Sequence, residues 1–129
     1  MCLFPECIDA LGMESGKISD SQISASSQRD GGHAASQGRL HFQETSRKSG
    51  AWVATYRNNH QWLQVDLGIS NRIATVTGVA TQGRHYSNEW PWGQHRQWVT
   101  KYRLQYSDDG LNFQCYREQG QTTDKVKIF

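Results

Sequence analysis

The sequence predicts an all-β domain, a sandwich or barrel of short strands. Three observations point there. Apolar and polar residues alternate with a period of two in several short runs, as in a strand with one face in a core. Gly, Ser, Asn and Asp separate those runs and favour turns between them. Long helical runs are missing, whereas Trp, Tyr and Phe make up 11% of the chain, in keeping with half-buried pleated surfaces. At 129 residues there is room for one domain with a real core and not for a second.

In chain order, Ala10 to Ile18 is compact and rich in turns, with Met13 and Ile18 as core anchors. Ser19-Asp20-Ser21-Gln22 places Gln three residues after Ser, the pattern of a capped helical turn. Ile23 and Ala25 alternate with Ser24 and Ser26 and predict a short strand. A first long loop over 28–38 holds Arg29, Asp30, Gly31-Gly32 and His33, and is expected to be flexible at its tip. Arg39 to Phe42 returns briefly to the body. A second loop over 43–50 carries Glu44, Arg47 and Lys48, after which Ala51 to Ala54 re-enters the core. Asn58-Asn59 turns the chain into the central strand, Gln61 to Gly68, where Leu63, Val65 and Leu67 alternate with Trp62, Gln64 and Asp66.

Ile73 to Ala80 predicts the next strand. A third loop over 84–97 follows, with His85, Tyr86, Trp90-Pro91-Trp92, His95 and Arg96. The longest alternating run is Trp98 to Tyr106. Ser107-Asp108-Asp109-Gly110 is a hairpin turn, because Asp-Gly tolerates the positive φ angles it requires. Leu111, Phe113 and Cys115 share a face of the returning strand, and Gln119 to Phe129 runs into the start of one more. Trp52, Trp62 and Trp98 are expected in the core. Three long loops in so short a chain are where function is expected.

A formal net charge of +2, with the basic residues scattered, argues against nucleic acid as a partner. No apolar run is long enough to cross a bilayer. Met1 to Pro5 is too short for a signal peptide, so a signal for export would lie outside this stretch. The three cysteines, Cys2, Cys7 and Cys115, leave at least one without a partner inside the chain, and a Cys2–Cys7 bridge would close only a small loop.

Several motifs, taken together, resemble the discoidin domain, also called the coagulation factor V/VIII type C domain. They are Leu11 to Gly16, Ile18 to Ser27, Gln61 to Gly68, Val79 to Arg84 and Tyr106 to Gly110, and they occur in that family's order across nearly the whole chain. The resemblance implies a jelly-roll β-sandwich, like galactose-binding domains, over residues 7–129, with 1–6 a short extension. It implies a non-enzymatic, extracellular or cell-surface role, in which loops at one end bind anionic phospholipid, glycan, collagen or another protein. It also implies that the family's last strands are missing here, together with the closing cysteine that would pair with Cys7. Lipid-binding relatives place large apolar side chains at the tip of the first loop. Here that tip is Asp30 to Ala35, so insertion into a bilayer through it is not expected.

Trp90 and Trp92 are the leading contact residues. Two indoles flanking a rigid proline offer broad faces at low entropic cost. The alternative is that they close the end of the barrel. Arg47, Lys48, Arg84, His85 and Arg96, with Tyr86 and His33 also in the loops, suit a ligand carrying phosphate, sulfate or carboxylate, unless they are ordinary surface charge. The rival functional readings are a galactose-type lectin and an accessory domain of an extracellular enzyme. No His or Cys pair has zinc-ligand spacing. Calcium held by loop carbonyls and Asp30 is the one cofactor worth keeping in view. No nucleophile–base pair or phosphate-cradling glycine loop appears, so no catalysis is expected.

Overall fold

The computed structural model describes residues 9–68, 75–84 and 97–122, together with the backbone of 126–128. The chain divides into two compact units, Met1–Arg96 and Gln97–Phe129. The described elements are short strands and 3-10 turns, as an all-β chain requires.

In the first unit, strand β1 (Ile23–Ala25) pairs antiparallel with β2 (Leu63–Val65), in register Ile23 to Val65 and Ala25 to Leu63. Ser26 N–H to Trp62 O at 3.0 Å and Asp66 N–H to Gln22 O at 2.8 Å extend the ladder at either end. The predicted cap forms: a 3-10 turn over Asp20–Gln22 begins at Ser19. Gln22 Oε1 accepts from the Ser19 N–H at 3.0 Å, while its Nε2 donates to Asp66 O at 2.8 Å. One side chain therefore ends the turn and clamps it to β2. Beyond β2, Gly68 N–H bonds Asp66 Oδ1 at 2.8 Å, and its φ of +65° turns the chain away at little cost to glycine.

Among the described residues the core lies in this unit. Ile18, Ile23 and Ala35 are buried, with Met13, Ala25, Trp52, Val65 and Leu67 packed against them. Full burial of an Ile side chain is worth about 1.5–3 kcal/mol, so Ile18 and Ile23 anchor the fold. Trp52 satisfies its indole N–H on Ser27 O at 2.9 Å. Leu63 packs over Gly38, where an added methyl would lie 3.0 Å from Leu63 Cδ2. The N-terminal turn is held by Arg39, which donates to Met13 O at 2.8 Å and to Asp20 Oδ1 at 2.6 Å.

In the second unit, β3 (Lys101–Arg103) pairs antiparallel with β6 (Val126–Ile128), and β4 (Gln105–Tyr106) with β5 (Gln114–Cys115). The hairpin turn is as expected. Asp109 Oδ1 accepts from Leu111 N–H and Asn112 N–H at 2.8 Å each, and Gly110 has φ +72°. These bonds, with those from the Asn112 and Ser107 side chains, hold the Asp109 carboxyl well below the usual carboxylate range.

Four expectations need correction. The first loop is no flexible excursion: Gly31–His33 and Ala35–Gly38 are 3-10 turns, and Ala35 and Gln37 are buried. The strand expected over Ile73 to Ala80 is not formed in its described part, 75–80, whose side chains are exposed. Residues such as Val76, Thr77 and Val79 suit a strand, but β propensity alone supplies no ladder partner. The run Trp98 to Tyr106 is not one strand, because the chain changes partner at Leu104, from β6 to β5. Trp62 and Trp98 are exposed, at 49% and 57%, so of the three tryptophans expected in the core only Trp52 packs there. Trp62 stands on the opposite face of its strand from Leu63 and Val65, as the period of two demands.

Candidate functional site

Asp30 organises the first loop. Its Oδ1 accepts from Gly32 N–H at 2.8 Å and lies 2.7 Å from His33 Nδ1. The His33 contact is the main reason the Asp30 carboxyl sits below its ordinary range. The second loop braces this tip. Ser49 N–H donates to Gly32 O at 2.7 Å, and a methyl on Gly32 would meet Arg47 O at 3.2 Å. The segment after it does the same: Arg29 N–H bonds Val53 O at 2.8 Å, and Val53 N–H bonds His33 O at 3.3 Å. Two loops separate in sequence thus form one surface.

The second loop is itself a tight turn. Thr45 N–H bonds Lys48 O at 2.8 Å, and Thr45 Oγ1 accepts from Lys48 N–H at 3.1 Å. The turn displays Arg47 and Lys48 to solvent. At its base Glu44 Oε1 meets Arg84 Nη2 at 3.2 Å, with only 17% and 11% of the two side chains exposed.

Of the residues singled out from the sequence, the structure brings His33, Arg47 and Lys48 onto adjoining loops and ties Arg84 to Glu44. His85, Tyr86, Trp90 and Trp92 lie outside the described residues, as do Cys2, Cys7, His95 and Arg96. Glu44 was not singled out, and no local pattern points to it, because its partner is 40 residues away. The bracing role of Ser49 was equally silent, whereas the Asp30-x-Gly32 pattern is a readable turn signal. Among the described residues no three His, Cys, Asp or Glu side chains gather as a metal site would need, and no helix is long and apolar enough to cross a membrane. In the second unit an open hollow of about 620 Å³ is lined by Tyr106, Gln114, Cys115, Tyr116 and Arg117, none of them a predicted site residue.

A framework of short strands whose charged side chains gather on braced loops defines a loop-presenting β domain. The chain belongs to the F5/8 type C domain family, whose sequence profile matches residues 22–129; membership implies a β-sandwich, with which its short strands are consistent. It is similar to discoidin, CUB and LCCL domain-containing protein 2 of Rattus norvegicus, 39% identical over 93% of this chain and 15% of that protein. It is similar also to coagulation factor V of Sus scrofa, 37% identical over 97% of this chain and 5% of the relative. Lactadherin of Rattus norvegicus is 38% identical over 97% of this chain and 27% of its own length. The chain therefore spans well under a third of each of these relatives.

Proposed function

We propose that this domain is a non-catalytic binding and adhesion module of the extracellular space or cell surface. In this reading a jelly-roll scaffold carries loops 28–38, 43–50 and 84–97, which recognise an anionic cell-surface ligand. Phosphate, sulfate or carboxylate is the chemistry that suits it, as on a phospholipid headgroup, a sulfated glycan or an acidic protein. Trp90 and Trp92, with Tyr86 and His85, supply apolar and aromatic contact. Arg47, Lys48 and His33 supply the polar rim, with Arg84 at its edge.

One observation carries the reading. The first and second loops are hydrogen-bonded to each other at Ser49–Gly32, beside two exposed cations. A rigid platform with charges already held out loses little entropy on binding. The first-loop tip offers Asp30 and glycines while Ala35 is buried, which favours surface attachment over insertion into lipid.

The test is a titration with phosphatidylserine vesicles at rising salt, run beside a glycan array. Binding should weaken as ionic strength shortens the electrostatic range, and the Trp90→Ala, Trp92→Ala double variant should bind far less. Undiminished binding by that variant would remove the aromatic half of the proposal. Competition by galactose in place of salt sensitivity would favour a lectin.

A further inference from the structure

We infer that Glu44 is a positioning residue for this surface. Through Arg84 it fixes the turn 45–48 that displays Arg47 and Lys48 to a phosphate- or sulfate-bearing ligand. The inference rests on the anionic-ligand reading above and deepens it.

The geometry is specific to these residues. Glu44 immediately precedes Thr45, whose N–H and hydroxyl close the turn onto Lys48. It reaches across 40 residues of chain to Arg84, with Oε1 to Nη2 at 3.2 Å. Both side chains are largely shielded from water, whereas Arg47 and Lys48 are exposed. A shielded ion pair is screened far less by salt than a surface pair, and leaving one member without the other is costly. The pair therefore acts as a strut at the base of the turn. Arg84 is also the end of the Val79 to Arg84 motif and directly precedes, in sequence, the segment bearing Trp90 and Trp92. The Glu44–Arg84 pair thus joins segment 81–84 to the base of the cationic turn through two charged ends.

The sign of one substitution separates this role from simple charge. Glu44→Gln makes the protein more positive by one charge, so charge counting alone predicts tighter binding to anionic vesicles. Positioning predicts the reverse: affinity for phosphatidylserine/phosphatidylcholine vesicles should fall by about three- to tenfold. Glu44→Asp should lose less, and the charge-swapped pair Glu44→Arg, Arg84→Glu should recover part of the loss at unchanged net charge. Equal or tighter binding by Glu44→Gln overturns the inference while leaving the anionic-ligand reading intact. A parent protein that binds no such vesicles sinks the lipid form of that reading instead.

A measurement without ligand then still decides the strut. With the parent protein at neutral pH, phenylglyoxal followed by peptide mass mapping should modify Arg47 readily and spare Arg84. In Glu44→Gln, Arg84 should become more reactive than in the parent while circular dichroism stays that of the parent. Equal reactivity of Arg47 and Arg84 in the parent would show that Glu44 does not hold Arg84.

Discussion

The two units use the same vocabulary of short alternating runs and treat their side chains in opposite ways. Among the described residues every buried one lies in the first unit, around Ile18, Ile23 and Ala35. In the second, Trp98, Val99, Tyr106 and Phe113 are 42–57% exposed and Leu111 is 83% exposed. Side-chain hydrogen bonds of the first unit reach far along the chain. Gln22 to Asp66 spans 44 residues, Arg39 to Met13 spans 26 and Trp52 to Ser27 spans 25. The Asp109 network closes within three residues of itself. Side chains that bond far along the chain tie a core together, whereas those that bond nearby shape one turn.

The largest test of that contrast is Ile23→Ala, which should destabilise the protein by about 2–5 kcal/mol. Leu111→Ala should change stability by no more than about 0.5 kcal/mol. Urea unfolding of both variants checks the pair, and equal losses would mean that Leu111 is covered in solution.

Gly12→Ala comes next. Gly12 has φ +117°, and an added Cβ would lie 2.5 Å from Lys17 Cβ. Strain there should cost about 1–3 kcal/mol. Gly120, also at positive φ, has nothing within 4 Å of an added Cβ, so Gly120→Ala should cost less in the same thermal melt.

The smallest effect is expected from acid, and it sharpens the comparison. Asp20 and Asp109 both have carboxyls lowered from 3.8, Asp20 chiefly through its hydrogen bond with Arg39 and Asp109 through backbone N–H groups. A folded-state value below the unfolded one means that their contribution is whole above the ordinary carboxylate range. It is lost as pH falls through the lower, folded value. Acidification below about pH 4 should therefore loosen the Asp20–Arg39 bond before the Asp109 turn. NMR titration of the two carboxyls checks the order, and Asp109→Ala should speed amide exchange at Leu111 and Asn112 at neutral pH.

Local features were legible because neighbouring residues determine them. The Ser19–Gln22 cap, the alternation of Ile23 and Ala25, the Asn58-Asn59 turn and the Asp109-Gly110 hairpin each need only a few adjacent side chains. So did the family resemblance, whose motifs are such short runs. The candidate site was legible in part. Exposed Arg47 and Lys48 follow from their place in a polar loop, but nothing near Glu44 indicates that it meets Arg84, or that Ser49 braces Gly32. The first loop read as flexible because its composition is polar; the structure instead folds Ala35 and Gln37 inward.

By itself, then, the sequence settled the β character of the chain, its turns, its family and the loops that hold its charged residues. Those depend on backbone preferences and periodicities acting over a few residues. The tertiary structure alone decided which of Trp52, Trp62 and Trp98 packs in the core, that Ile73 to Ala80 makes no strand over 75–80, and that Arg84 meets Glu44. Burial, ladder pairing and ion pairing all require a partner remote in sequence, and the identity of that partner is written nowhere in the local pattern.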